Sequence, residues 1–446
     1  MKGREARAVR RRISLLVVML LALVGMARAE ALCLVTEGWA RLTDEAGTAL
    51  VEGVKDAFPV REGALYAAGE KGEYRLYDAR GRLLGDTEFA MIDDAGDCLI
   101  YRVGRLYGAL DMTGNPALPA RWTQLVSDGA GGWLALNTDP LDEAPDNIYH
   151  IDIFGNAVDT GASTLNGLSR LCDDRMPILT ADGRCGAIDG RGAWAVDPVW
   201  LTLGPFEGGV AKAADEDGLG LIDVNGASVI PPIYDWLERS EGCVAAKDST
   251  GIDVYSADGR RLLFSAEGEN PEVALIDRYV AIYRDGKTRL YDLNGTVIYE
   301  SERPVAFAPG VDGQLIASDG KWGEACVWLL NPDGSAASGR CQRLVPLLPG
   351  RYAFMTMEGI EYYSDTLDRV QTTWNYDSLR FGLMDGAGNE LTPAKYMEIR
   401  AVGENRLLMI SEAGVTLADG DGNVIKTWLT PQTEAATGEA GGGATG

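Results

Sequence analysis

Carboxylates recur along this chain with a fixed companion three residues on. Asp-x-x-Gly stands at Asp44, Asp78, Asp111, Asp152, Asp189, Asp223, Asp292, Asp385 and Asp419, closing on Gly47, Gly81, Gly114, Gly155, Gly192, Gly226, Gly295, Gly388 and Gly422. Ser256 and Asn331 take the Asp place before Gly259 and Gly334. Two carboxylates about 5–10 Å apart can hydrolyse a glycosidic bond, so a row of acids invites that reading. The spacing favours another. The first residue of a type I turn prefers Asp, Asn or Ser, whose side-chain oxygen caps backbone N–H groups further on. The fourth prefers Gly, which takes positive φ and forms the bulge that closes a hairpin. Asp78, Asp111, Asp189, Asp223, Asp292 and Asp385, with Gly81, Gly114, Gly192, Gly226, Gly295 and Gly388, are therefore expected as structural turn caps. No residue is singled out as catalytic.

Other chemistry-bearing residues meet the same test. His150 is the only histidine. Zinc chemistry built on histidine is nearly excluded, and a Ser-His-Asp or Cys-His centre would rest on this one residue. It stands in NIYHIDIFG, which makes it a packed or surface strand residue. Ala214–Gly218 and Ala418–Asn423 look like fragments of calcium loops. Asp419, Asp421 and Asn423 have the first spacing of an EF-hand loop. Val424 replaces its glycine, however, and Thr430 stands where a bidentate Glu is required, so both stretches are expected as hairpin tips. No Gly-rich loop runs from a strand into a helix, so no nucleotide site is implied. No cofactor or metal is expected. Ten tryptophans offer either packing between repeats or a platform for sugars and peptides.

Seven cysteines leave at least one unpaired within the chain. Cys326 and Cys341 lie nearly symmetrically about the Pro332-Asp333-Gly334 turn, which makes them a possible disulfide across a hairpin. Cys172 and Cys185 are a weaker pair, because their turn is off-centre.

The elements that position these residues repeat. Successive turn glycines fall 33–41 residues apart, with one interval of 54. That long interval holds a worn copy, Glu361 to Val370, aligned with Asp253 to Leu262 and carrying Leu367 in the Gly place. About twelve units result. Each reads strand, turn, strand, loop, strand, as in Tyr279 to Tyr299, and no window of the mature chain shows a helical face. A unit of this kind buries its apolar face only by stacking on its neighbours. At 446 residues, 46% hydrophobic and 24% charged, the chain has the make-up of a folded globular protein. Leu141 to Asn147, after Pro140, reads as an inserted loop.

Arg4, Arg7, Arg10, Arg11 and Arg12 precede the apolar run Ile13 to Met26 and the small-x-small site Ala27-Arg28-Ala29. Residues 1–29 are expected to be a secretory signal peptide, with an uncleaved membrane tether as the alternative. The Gly/Ala/Thr-rich stretch 430–446 is expected to be a disordered tail, and no transmembrane segment is expected in the mature chain. The formal charge of −25 argues against nucleic acid as a partner.

The fullest unit, Gly220 to Lys247, resembles the WG repeat through Gly220, Ile222, Asp223, Gly226, Ile230, Pro231, Pro232, Tyr234, Asp235, Glu241, Gly242 and Ala245. Further copies begin at Gly186, at Tyr107 and at Phe381, and Lys321-Trp322-Gly323 is the literal signature. The resemblance covers roughly residues 36–428. Leu219, Cys185, Tyr107 and Phe381 stand in the signature Trp place. The resemblance implies an all-β repeat found in bacterial envelope and secreted proteins, with no common chemistry and no catalytic residues.

The expected fold is all-β: tandem short β-meander repeats packed as a β-propeller in one or two rings, with an open β-solenoid as the alternative. The expected domain runs over 30–429. The expected function is a secreted or cell-envelope, non-catalytic binding or scaffold module for protein or glycan. A carboxylate-based glycan hydrolase or lyase and a structural spacer are the alternatives.

Overall fold

The computed structural model describes residues 31–36, 39–137, 146–268, 271–320, 324–364 and 369–428. The expected leader 1–29, the tail 430–446, Lys321-Trp322-Gly323, Leu367 and most of the expected insertion lie outside them. The chain falls into two compact units, Met1–Glu88 and Phe89–Gly446.

Among the described residues every regular element is a strand, forty in number. They form eleven antiparallel sheets, and in each the order in the sheet is the order in the chain. Seven sheets have four strands and four have three. The short period accommodates four strands because each is brief, four residues in Trp236–Arg239 and seven in Ser228–Tyr234. The fold class is all-β and propeller-like.

The sequence repeat and the sheet are out of phase. In the fullest unit, Leu219–Asp223 and Ser228–Tyr234 are the last two strands of one sheet. Trp236–Arg239 and Cys243–Lys247, which complete the sequence motif, open the next. Each motif therefore joins two sheets rather than defining one.

Side-chain alternation explains the stacking. In the 202–234 sheet, Ala211, Ala213 and Ile222 pack with Ala187 and Val196 of the sheet before. Val210, Leu221, Ile230 and Tyr234 pack with Leu237, Val244 and Ala246 of the sheet after. In the 236–267 sheet, Cys243, Ala245, Ile252 and Val254 then meet Val280 and Ile282 of the next. Both faces of each such sheet are buried, so the core is a series of thin apolar layers.

The turn and the proline pair set the register. Gly226 has φ of 82° and donates to Asp223 O at 2.9 Å. This is a type I turn closed by a glycine bulge. A second irregularity separates the pairs Leu219↔Tyr234 and Leu221↔Ile230, where Pro231 and Pro232 bow the strand. Gly220 lies beneath the bow. A Cβ there would sit 2.8 Å from Pro232 N and nearer still to Ile230 O. Gly220 serves close approach rather than positive φ.

The worn copy expected at Glu361 to Val370 is not a sheet. Arg351–Ser364 and Arg369–Asp385 pair from Arg351↔Asp385 to Ser364↔Arg369, with one register shift between Thr356 and Glu358. The long interval is one hairpin extended past its sheet, so about twelve units become eleven sheets.

The first unit contributes two three-stranded sheets, spanning 32–51 and 56–78. They share a small core of Ala31, Leu42 and Tyr66. Burial, with a lesser push from the Asp56 carboxylate, raises the Cys33 thiol to about 12. That makes it a poor nucleophile.

Candidate functional site

The turn carboxylates behave alike. Asp223 Oδ1 accepts from Asn225 N at 2.8 Å and Ala227 N at 3.0 Å. Oδ1 of Asp78, Asp111, Asp189, Asp292 and Asp385 accepts from the same two positions, at 2.8–2.9 Å. Partial burial opposes ionisation of Asp111, but hydrogen bonds from Thr113 and Asn115 outweigh it and hold the carboxyl at about 2. These acids are committed to their own turns.

The remaining sequence candidates disperse. Asp215 caps the 214–218 tip through Asp217 N at 2.9 Å. Asp419 holds Asn423 N and its side chain at 2.9 Å each, and Asp421 pairs with Arg351 at 2.5 Å. Among the described residues no cluster of three or more His, Cys, Asp or Glu is placed to hold a metal. Trp122, Trp133 and Trp328 are buried in core layers. Trp194 is exposed along its strand.

No disulfide joins Cys326 to Cys341. Cys341 pairs with Val327, and Leu330 with Ala336. Cys326 is therefore one residue out of register with Cys341, and adjacent strand residues point to opposite faces. The bulge at the turn shifts the centre on which the symmetric pairing of these cysteines depended. Cys172 bridges to Arg175, and Cys185 Sγ lies 3.8 Å from Leu201 O.

His150 emerges as the exception. Aligning the copies on the turn Asp puts His150 in the column two residues before it. Leu42, Leu76, Ala109, Ala187, Leu221, Leu290, Leu383 and Leu417 fill that column elsewhere, and all are fully buried. A packed apolar side chain is replaced once, by the only imidazole. Its side chain is 26% exposed, and Nε2 lies 3.1 Å from Asp128 Oδ2. A carboxylate oxygen only accepts, so Nε2 donates and Nδ1 is left as an acceptor in the neutral ring.

Around this pair lies a cavity of about 790 Å³ between the 124–164 and 176–200 sheets. Asp128, His150, Asp152 and Ile153 come from one side. Asp174, Asp189, Gly190 and Arg191 come from the other. The Asp128 side chain is only 9% exposed, and its Oδ1 accepts from Ala130 N at 2.7 Å and Gly132 N at 2.8 Å.

Asp174 is a second departure. Asp173 and Asp174 form the tip of a two-residue hairpin closed by Cys172 and Arg175, with φ of 52° and 55°. Gly208 and Gly209 hold the equivalent places between Glu207 and Val210, with φ of 60° and 82°. Left-handed backbone strains a side chain and is free for glycine. Here the chain carries two carboxylates in that strained conformation. Asp174 Oδ1 accepts from Gly190 N at 2.9 Å, tying the tip to the opposite turn.

Sequence reasoning placed His150 on its strand and passed over its column. The signal was there, as the single polar residue in an otherwise Leu/Ala position. Asp128 and Asp174 carried no comparable mark, because their roles depend on which tips meet.

No helix among the described residues is long and apolar enough to cross a membrane. No curated protein sequence matches the chain. Among solved structures, BamB from Moraxella catarrhalis is similar at 14% identity over 64% of this chain and 96% of that one, with a TM-score of 0.28. A eukaryotic initiation factor is similar at 9% identity over 90% and 96%, with a TM-score of 0.42. PorZ, a surface component of the type-IX secretion system of Porphyromonas gingivalis, is similar at 14% identity over 87% and 64%, with a TM-score of 0.24. Likenesses this distant carry nothing about function. Residues 220–247 match the model of the WG containing repeat, so the chain carries a WG repeat.

Proposed function

We propose that this chain is an exported or cell-envelope β-repeat protein that acts as a non-catalytic binding module for protein or glycan, and that it takes its ligand in the recess around His150. The observation that carries the reading is the column of buried Leu and Ala residues interrupted once, by His150, beside a cavity of about 790 Å³. The repeats keep a buried apolar residue in this column and depart from it beside the cavity, where a ligand would need them to differ.

Export is supported by the basic n-region, the apolar run Ile13 to Met26 and the site Ala27-Arg28-Ala29. The non-catalytic reading is supported by the lining. Among the described residues that line the cavity none is a serine, threonine or cysteine, the side chains a His-Asp pair commonly activates as nucleophiles. Asp152 and Asp189 are occupied as turn caps.

The test exposes the 30–446 chain to a glycan array and to solubilised envelope proteins, with His150→Leu in parallel. Retention by the wild type that His150→Leu abolishes is the expected result. Equal retention by both proteins, or by neither, overturns the assignment of the recess.

A further inference from the structure

The tip beside the recess is apolar where other tips are not. The two central residues of the Asp152–Gly155 turn are Ile153 and Phe154, exposed to 61% and 83%. Matching pairs include Ala79-Arg80, Met112-Thr113, Val224-Asn225 and Leu293-Asn294, and none of the other turns has two large apolar residues there. Val158, also largely exposed, pairs directly with His150. Directly opposed residues share a face. That face is the one turned to the 176–200 sheet, because Leu134, opposite His150 on the other side, packs there with Met176 and Ile178. An apolar ledge of Ile153, Phe154 and Val158 therefore adjoins the cavity.

Its charge is one-sided. Asp128, Asp152, Asp174 and Asp189 line the cavity with the guanidinium of Arg191, and Arg175, outside the lining, pairs with Asp174 at 3.2 Å, so the carboxylates still outnumber the guanidinium groups. Hydrogen bonds from Asn156, its side chain first, hold the Asp152 carboxyl below the usual range, so it is ionised.

We propose that the recess and its ledge dock a basic segment of a partner protein, with a Lys or Arg head in the cavity and a neighbouring apolar side chain on Ile153 and Phe154. This rests on the recess being the ligand site. Charge complementarity selects the occupant: a cation is drawn by the excess of carboxylates over guanidinium groups, and an anion is repelled. A neutral sugar leaves that charge uncompensated. The exposed phenyl ring supplies the apolar contact that anchors a side chain.

The experiment uses the 30–446 chain and a labelled heptapeptide with Leu-Lys-Leu at its centre and glycines outside. Two control peptides replace lysine by glutamine or both leucines by serine. The wild type is expected to bind the lysine peptide at least about tenfold more tightly than either control, and less tightly as salt rises. Phe154→Ser is expected to remove the preference for leucine, and Asp174→Gly to reduce the preference for lysine. Both are exposed-tip substitutions, and Gly208 and Gly209 show that the hairpin accepts glycine there. Thermal melts of the variants establish that they fold. Equal binding of the lysine and glutamine peptides, or no effect of Phe154→Ser, overturns the proposal. Neutral glycans bound by the wild type and lost in His150→Leu would keep the recess as the ligand site and sink the basic segment. Neither class bound would sink both.

Discussion

Two junctions between neighbouring sheets use the same turn and the same row of residues, and only one is closed. Between the 202–234 and 236–267 sheets, Leu221 is fully buried among Val210, Ile230 and Val244. Gly220 admits the bowed proline strand, and Tyr234 OH reaches Asp253 Oδ2 at 2.8 Å and Tyr255 OH at 2.7 Å. Between the 124–164 and 176–200 sheets, His150 replaces the leucine and Tyr149 the glycine. Tyr149 packs on Trp122 of the preceding sheet, with ring centroids 5.7 Å apart. The first junction shows what the repeat does when it only has to stack. In the second, one polar residue in the stacking column and two aspartates in a glycine tip stand beside a cavity, and the turn is unchanged.

The sharpest test moves the histidine. Leu221→His puts an imidazole into a closed layer with no carboxylate prepared for it. It should destabilise the protein by about 3–5 kcal/mol, from lost packing and an unsatisfied ring. Urea unfolding followed by tryptophan fluorescence reads this directly, and a loss below about 1 kcal/mol would mean that the layer is not closed.

Gly220→Ala comes next. The added methyl meets backbone at Pro232 N and Ile230 O, neither of which can rotate away. The expected loss is about 1–3 kcal/mol. Tyr149→Ala, at the matching place in the open junction, tests the reverse: its cost should come from lost contact with Trp122, read as a change in indole emission.

The reverse histidine exchange should be mild. His150→Leu gains apolar contact, roughly offset by the lost bond to Asp128, so stability should stay within about 1 kcal/mol of wild type. Its asymmetry with Leu221→His is the prediction, checked in the same unfolding series. At the strained tip, Asp174→Ala should be less stable than Asp174→Gly by about 1 kcal/mol, because alanine keeps the left-handed strain and glycine removes it.

The smallest effect concerns pH. A turn carboxyl lowered on folding contributes stability that is present above its unfolded value, near about 4, and is lost as pH falls through its folded value. For Asp111 that value is about 2. NMR titration of the Asp111 carboxyl should show this midpoint, and Asp111→Asn should flatten that part of the stability profile. A midpoint near about 4 would mean that the bonds from Thr113 and Asn115 are not formed in solution.

Much of the fold was legible in the sequence because turns are local. Asp223 and Gly226 act within five residues of chain, and so do their counterparts, so spacing alone reveals them. The Cys326–Cys341 pairing and the worn copy at Glu361 failed for one reason. Each needed a register, and a bulge or an extended hairpin changes register without leaving a clear mark in the sequence. His150 stood between these cases: its column was readable, its consequence was not.

Residue order along the chain determined an all-β repeat, the place of each turn, the role of each turn carboxylate and the identity of the repeat, since these depend on neighbours in sequence. Tertiary structure alone decided that Asp128, His150 and Asp174 meet. Asp128 and Asp174 lie on separate hairpin tips and His150 within a strand, and only face-to-face packing of the two sheets brings them around one cavity.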